Sequence, residues 1–439
     1  MKIPEIIIIE SEHRPGSLAK ILTVIGEAGI VIDDLRAIER TPEKTKWELT
    51  LQLEKDELEP LTAKVEALPN ARILGTSDRV FERHRGGKIR VVSSQRINTL
   101  ELLRDLYTPG VARVCMAIEE DPDKAWTYTN LRNTVAIVTN GTAILGLGNI
   151  GPVAGLPVME GKAALLEQLV GLSGVPILID SSDVATIVET VSRIAPSFGA
   201  IKLEDIRAPE CFEIERQLID RLSIPVMHDD QHGTAAVTLA ALLTATRRLG
   251  IELRQCVVGQ IGLGAAGIGI ASLLLNYGVA EMLGADINPE ACARLSQRGG
   301  QPAEFRDLMR RADIVIATTG VKGLIQPEMV RQGQVILALS NPEPEIEPEV
   351  AHAHGARYAA DGKAVNNILG FPGIFRGALD ANASRITQAM LVAAAEKLSD
   401  LAPKDHLVPN PPTPAGPCRC RRGRPTGQHR SVAASGQPR

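Results

Sequence analysis

The chain has no apolar stretch of about 20 residues, so no segment is long enough to span a bilayer as a helix. It has no C-x-x-C pair. Its six cysteines (Cys115, Cys211, Cys256, Cys292, Cys418 and Cys420) are scattered, which argues against a disulfide framework or a zinc site and for a reducing cytoplasm. It also lacks a stripe of one charge. The formal net charge is −4 with acids and bases interspersed, which leaves no basic face for nucleic acid and points to a small-molecule partner. The N-terminus, MKIPEIIIIE, carries a β-branched run closed by Glu10, too short and wrongly flanked for a secretory signal. What remains is 439 residues, 44% hydrophobic and 23% charged, sufficient for large cores in two or three domains.

Residues 1–80 predict a β-α-β-β-α-β order. Strand EIIIIES is followed by a helix from Ser17 to about Ala28, strands IVIDDLRAIER and KWELTLQLE, a helix from Asp56 to Leu68, and strand ARILGT. Trp47, Leu49, Leu51 and Leu53 alternate as in a half-buried strand. This split pattern belongs to ferredoxin-like modules. Through Arg14-Pro15-Gly16-Ser17-Leu18 at the first strand-to-helix turn it resembles ACT domains, a resemblance that implies a small effector, often an amino acid, at that turn.

Residues 81–97 read as a linker, polar and basic from Phe81 to Lys88. From about residue 98 to 405, apolar strand-like runs alternate with helical periods, the mark of parallel βαβ units. We divide this span into a catalytic domain, 98–235, and a Rossmann dinucleotide-binding domain, 236–405. Residues 406–439 are expected to be a disordered tail, because the Pro, Gly and Arg that dominate it beyond Leu407 cannot build a core. Its composition is also what a GC-rich coding sequence yields out of frame.

G-x-G-x-x-G occurs twice, as Gly146 to Gly151 and as Gly262 to Gly267, so context must decide. The second copy follows the apolar strand CVVGQI and opens a helical run from Ile268 to Tyr277, so that Gly262, Gly264, Ala265, Ala266 and Gly267 can cradle a pyrophosphate at a helix N-terminus. The first copy is followed by Pro152, Gly155 and Pro157, and we expect it to open no helix. Asp286, about 20 residues past the second copy, ends strand EMLGAD, where a carboxylate can accept the ribose hydroxyls of NAD. Its neighbours Ile287, Asn288 and Pro289 offer no cation for a 2′-phosphate, which favours NAD over NADP.

Strand GAIKL runs into Glu204-Asp205, and strand SIPVM into His228-Asp229-Asp230. Acids thus gather at the carboxyl ends of two parallel strands, the edge where open α/β sheets bind ligands. Such a cluster suits a hard cation, Mg²⁺ or Mn²⁺, although Asp229 and Asp230 equally serve as caps of a helix beginning near Gly233. Lys162, in VMEGKAALL, is placed at the start of a helix, where burial, the helix dipole and a nearby cation would lower its pKa and make it a base. Tyr107 precedes a Pro-Gly turn and can present its hydroxyl to a cleft. Taken alone, each is more often a snorkelling surface lysine or a packed tyrosine.

Together these segments resemble malic enzymes of the shorter bacterial type. The resemblance runs through Tyr107-Thr108-Pro109-Gly110-Val111-Ala112, Asn140-Gly141-Thr142, Gly146 to Pro152, Pro157-Val158-Met159-Glu160-Gly161-Lys162, Leu203-Glu204-Asp205-Ile206 and His228 to Thr234. Ser340-Asn341-Pro342 and Val365 to Gly373 extend it. It implies Lys162 as base, Tyr107 as proton donor, Glu204, Asp205 and Asp230 as metal ligands with Asp229 behind them, and Asn341 and Asn367 at substrate, Asn341 also beside the cofactor. It implies oxidative decarboxylation of malate with NAD and a divalent metal, with oxaloacetate decarboxylation as a further activity, in a homo-oligomer. Larger members carry an arginine where this chain has Thr142-Ala143, so the substrate carboxylate clamp is unassigned, and the tail does not resemble the final helix of shorter relatives. Two rivals remain: a 2-hydroxy-acid dehydrogenase that does not decarboxylate, and an effector-sensing protein with an inactive catalytic domain.

Overall fold

The structure is a computed structural model that describes residues 3–54, 56–77, 79–144, 146–341, 343–362 and 367–410. Motif residues Pro342, Val365 and Asn366 and the Pro/Arg-rich residues 411–439 lie outside the described residues.

The first segment comprises β1 (Ile3–Glu12), α1 (Ser17–Glu27), β2 (Val31–Arg40), β3 (Lys44–Leu53), α2 (Leu58–Glu66) and β4 (Ala71–Thr76). The expected element order is present, and the strands form an antiparallel sheet ordered β2-β3-β1-β4. Leu49, Leu51 and Leu53 point inward on β3 and pack with Ile21 and Ile25 of α1 and Leu61 and Val65 of α2. The strand period of two and the helix period of 3.6 converge here on one core.

Next come α3 (Arg79–His84), α4 (Leu100–Leu106), α5 (Val111–Glu120) and α6 (Ala125–Tyr128). Part of the span read as linker is therefore helical. Lys88 is also anchored: its backbone N–H donates to Glu160 Oε2 at 3.0 Å and its Nζ to the Pro157 carbonyl at 2.6 Å. By contrast, α4 and α5 bury none of their residues.

A four-stranded parallel sheet, ordered β6-β5-β7-β8, follows. Its elements are β5 (Thr134–Thr139), α7 (Pro152–Val170), β6 (Ser173–Leu178), α8 (Val184–Ile194), β7 (Ala200–Leu203), α9 (Glu210–Arg221), β8 (Val226–His228) and α10 (Asp229–Leu249). Here α7 corrects the expectation that the first glycine motif opens no helix. Pro152 occupies the first helical position, where its missing N–H is not needed, and the 19-residue helix tolerates Pro157 within it. Likewise α10 begins at Asp229, four residues earlier than expected.

The last sheet is parallel and ordered β11-β10-β9-β12-β13-β14. Its elements are β9 (Val257–Ile261), α11 (Ala265–Tyr277), β10 (Glu281–Ala285), α12 (Pro289–Gln297), β11 (Gln301–Pro302), α13 (Phe305–Arg311), β12 (Ile314–Ala317), β13 (Val335–Ala338), α14 (Pro348–Ala353), β14 (Tyr358–Asp361), α15 (Phe371–Asp380) and α16 (Gln388–Asp400). Strand order reverses between β9 and β12, which opens a crevice at their carboxyl ends. Helix α10 runs uninterrupted through residue 235, where a domain boundary was expected, and one core joins Val135 and Ile137 of the first parallel sheet to Val258 and Ile314 of the second. Leu407 and Val408 are buried in that core as well, so the described start of the expected tail is packed.

Candidate active site

Parallel pairing of β7 with β8 sets Leu203 opposite His228, and the residues that follow each strand therefore emerge side by side. Glu204, Asp205 and Asp230 each offer one carboxylate oxygen, all within 4.8 Å of one another. Asp205 sits at φ 51°, a left-handed conformation more accessible to Asp than to most residues, and its N–H donates to Asp230 Oδ2 at 3.0 Å. Its own Oδ2 is buried without a hydrogen-bond partner. Burial first, and Asp230 second, push the Asp205 carboxyl above its ordinary value. A buried acceptor beside like charges is the environment a hard cation relieves, and three converging oxygens suit Mg²⁺ or Mn²⁺.

Lys162 projects toward this cluster from the middle of α7, not from its start. Its Nζ lies 2.9 Å from Asp229 Oδ2 and 3.0 Å from Glu204 Oε1. The expected lowering of its pKa counted on a nearby cation, and the protein groups alone act in the opposite direction. Burial does oppose its charge, yet Asp229, Asp230 and Asp205 outweigh burial and hold the ammonium above its ordinary value. Asp229, fully buried, is itself held below the usual carboxylate range: burial would raise it, but Lys162 and Lys202 prevail. A Cβ at Gly233 would collide with Asp229 Oδ1, so the glycine one turn along α10 makes room for this carboxylate.

Lys202 was not singled out from the sequence. It is fully buried on β7, with Nζ 3.0 Å from Asp229 Oδ2 and in close contact with Glu204 Oε2. Burial draws it down to about 8 against the pull of Asp229. Two ammonium groups thus face four carboxylates, Glu204, Asp205, Asp229 and Asp230, an excess that one divalent cation balances. Phe371, the first residue of α15, lies under both lysines, 5.0 Å from Lys162 Nζ and 4.4 Å from Lys202 Nζ to its ring centroid. Only a lysine interrupting the apolar run AIKL hinted at this arrangement, and FPG carried no hint of a cation-facing ring.

Behind the cluster, buried His228 sets Nε2 3.3 Å from Asp230 Oδ2, and burial lowers its pKa toward the neutral imidazole. Thr142, in the segment that lacks the arginine, donates to Asn140 Oδ1 at 2.6 Å and accepts from Arg207 N–H at 3.0 Å. It therefore ties down the loop that carries Glu204 and Asp205.

The second glycine motif lies where β9 enters α11. Gly262 has φ 84°, and a Cβ there would sit 2.8 Å from the Thr318 carbonyl oxygen, so only glycine fits. Gly264 is the N-cap of α11 with no side-chain cap, which leaves N–H groups of the first turn, including Ala265, Ala266 and Gly267, available to an anion. Asp286 follows β10 and accepts from the N–H of Leu263 at 2.6 Å and of Asn288 at 2.8 Å. Across the crevice, buried Glu345 accepts from Thr319 N–H at 2.7 Å and from the Ser340 hydroxyl, clasping the loops after β12 and β13. The second of these loops carries Asn341, which is exposed. Asn367 begins a short 3₁₀ turn ahead of α15, and its side chain lies outside the described residues.

Tyr107 is not brought into the cluster. It ends α4 with 71% of its surface exposed and has no hydrogen bond among the described residues to Lys162 or the carboxylates.

Fold and site together define a two-part α/β dehydrogenase architecture, with a dinucleotide-type glycine loop on one sheet and a carboxylate-lined lysine pocket on the other. Residues 86–219 match the malic enzyme N-terminal domain, and residues 231–296 and 355–414 match the malic enzyme NAD binding domain. NAD-dependent malic enzyme 1 of Bacillus subtilis is 54% identical over 408 residues, 92% of this chain and 93% of that protein. NAD-dependent malic enzyme of Geobacillus stearothermophilus is 40% identical over 89% of this chain and 86% of its own length. Among solved structures, malic enzyme from Pyrococcus horikoshii is 37% identical and superposes with a TM-score of 0.73 over 77% of this chain and 87% of that one. The chain belongs to the malic enzyme family. No helix among the described residues is long and apolar enough to cross a membrane.

Proposed function

We propose that this protein oxidises and decarboxylates malate to pyruvate and CO₂, reducing NAD, with a divalent metal at Glu204, Asp205 and Asp230. The observation that carries the reading is Lys162 Nζ, 3.0 Å from Glu204 and 2.9 Å from Asp229, at the edge of a trio of converging carboxylates. When bound there, the cation supplies Lewis-acid polarisation of the C2 oxygen and offsets the negative charge that keeps Lys162 protonated. Lys162 takes the C2 hydroxyl proton as the hydride leaves for the nicotinamide, and Asp229 orients the lysine and stabilises the ammonium that forms. Lys202 and Phe371 fix Asp229 and the lysine head from behind. Asn341 and Asn367 are assigned to substrate, and Asn341 also to the nicotinamide side of the cofactor. Gly262, Gly264, Ala265, Ala266, Gly267 and Asp286 are assigned to the dinucleotide.

Tyr107 is assigned to protonation of the enol product, which requires that α4 and α5 move toward Lys162 or reach the site of a second copy. Leu100, Leu103, Leu106 and Met116 stand exposed on this pair, an apolar face that supports a homo-oligomer. For residues 1–80 we propose an ACT-type effector module. A cavity of about 360 Å³ beside Arg14, Gly16, Thr45 and Trp47 supports it. We also propose a cytoplasmic setting and oxaloacetate decarboxylation as a further activity.

The test is a steady-state assay with malate, NAD⁺ and Mn²⁺ in which NADH and CO₂ are followed together. Equal amounts of both are expected. NADH without CO₂ would establish a plain dehydrogenase, and neither product would establish an inactive sensing protein.

A further inference from the structure

We infer that a second anion site lies at the junction of the two halves, between Arg294 and Arg298, and that it takes a small oxyanion, either a carboxylate or a phosphate group. A cavity of about 500 Å³ opens there, walled by α9 and the start of α10 from the carboxylate-bearing half and by the C-terminal end of α12 from the dinucleotide half. Arg294 and Arg298 stand one helical turn apart, and both guanidinium groups lie over the ring of Phe212, at 5.5 and 5.7 Å from its centroid.

Two cations held side by side repel each other, and the acids in the same cavity are already engaged. Glu215 accepts from the His228 N–H at 2.7 Å, from Gln231 Nε2 at 3.1 Å and from His232 Nε2 at 3.0 Å. Glu213 is gripped by both arms of Arg216 and by Gln217, and Asp220 also pairs with Arg216. Arg294 Nε is buried without a hydrogen-bond partner, and neither arginine has an ion pair among the described residues. Burial, with Arg294 adding to it, makes Arg298 hold its proton less firmly than an ordinary arginine.

The C-terminal end of α12 favours cations, which explains why two arginines are tolerated. It does not supply the oxygen acceptors their side chains lack. An oxyanion does: each guanidinium is a planar fork of N–H donors matched to carboxylate or phosphate oxygens, and Phe212 pre-orients both forks. The cavity volume suits a small metabolite. Because its walls come from both halves, an occupant would brace α12 against α9. Behind the pocket, Glu215 leads through His228 to Asp230.

The test uses the full chain, with NAD saturating so that the glycine loop does not accept the probe. Inorganic phosphate and succinate are titrated calorimetrically into the native protein and into Arg294→Gln/Arg298→Gln. Any binding at the glycine loop or beside Lys162 is common to both proteins, so only the difference between them counts. We expect the double variant to lose affinity for one probe by about tenfold or more. Loss for phosphate alone identifies a phosphate ligand, and loss for succinate alone a carboxylate. Arg310→Gln, an exposed arginine on α13, should bind as the native protein does. If the double variant fails to fold, Arg298→Gln and Arg298→Lys replace it, the lysine keeping the charge but losing the fork, with a smaller loss expected from lysine than from glutamine. Equal affinity in native and variant proteins, or no binding of either probe to the native protein at about 10 mM, overturns the site.

Discussion

Lys162 and Lys202 hold the same carboxylate oxygen, Asp229 Oδ2, at 2.9 and 3.0 Å. Both come from elements of the first parallel sheet, α7 and β7, and both lie over the ring of Phe371, contributed by α15 beyond the second sheet. The lysine assigned as base is thus held from three directions, and its environment depends on the two halves being packed together. Removing one partner of such a buried network leaves an uncompensated charge, so its members should fail in distinguishable ways.

Lys162→Ala should lower kcat by about 10²–10⁴, the usual cost of losing a general base, while NAD affinity measured by fluorescence titration stays near the native value. Turnover close to native would remove Lys162 from the role of base.

Asp205→Asn should weaken Mn²⁺ binding by at least about tenfold, since even groups behind the metal ligands commonly cost that much. Electron paramagnetic resonance of free Mn²⁺ reads the affinity directly, without turnover. Unchanged Mn²⁺ affinity would place the cation elsewhere.

Asp286 is assigned to the ribose of the dinucleotide. Asp286→Ala combined with Asn288→Arg should move the ratio of kcat/KM for NAD over NADP toward NADP, because a carboxylate facing the 2′ position is exchanged for a cation. Asp286 also accepts from Leu263 and Asn288 N–H, so some loss of overall affinity should accompany the switch. A native preference for NADP would be incompatible with this account.

Burial alone would raise the Glu215 carboxyl, but His232 and His228 hold it below its ordinary 4.5, while Glu215 overcomes burial and holds His232 above 6.5. The contribution of Glu215 is complete above pH 4.5 and is lost as pH falls through its lowered folded value. That of His232 is complete below pH 6.5 and is lost as pH rises through its raised folded value. Glu215→Gln should therefore lower Tm most between pH 4.5 and 6.5, by the equivalent of about 1.5–3 kcal/mol, with the deficit narrowing on either side. A deficit independent of pH would mean that the pair contributes through packing alone.

Deleting residues 1–80 should leave malate oxidation measurable and abolish responses to small effectors, because the core of this segment is separate. The deletion spares Lys88 and its bonds to α7. Persistence of every effector response in the truncated protein would contradict a regulatory role.

Much of the architecture was legible in the chain because it rests on periods and punctuation. Alternation in β3, the glycine loop between β9 and α11, and acids closing β7 and β8 are local signals, and the structure reproduces each. Local rules misled at α7, where two prolines and Gly155 suggested that no helix follows. Pro152 sits where a proline costs nothing, and packing of Met159, Ala163 and Leu166 against the sheet carries the helix past Pro157.

By itself, then, the sequence determined the element order of residues 1–80, the parallel βαβ pattern beyond them, the glycine loop and the acids that gather at strand ends, since each depends on residues close together in the chain. Tertiary structure alone decided that Lys202 joins Lys162 on Asp229, that Phe371 lies beneath both, and that Arg294 and Arg298 share Phe212. These groups meet through sheet register and helix packing across separations of 27 to more than 200 residues, and no local period encodes such meetings. Tertiary structure also decided which carboxylates surround Lys162. The expected lowering rested on burial, a helix terminus and a nearby cation; among the protein groups alone, three carboxylates brought together by the pairing of β7 with β8 outweigh burial.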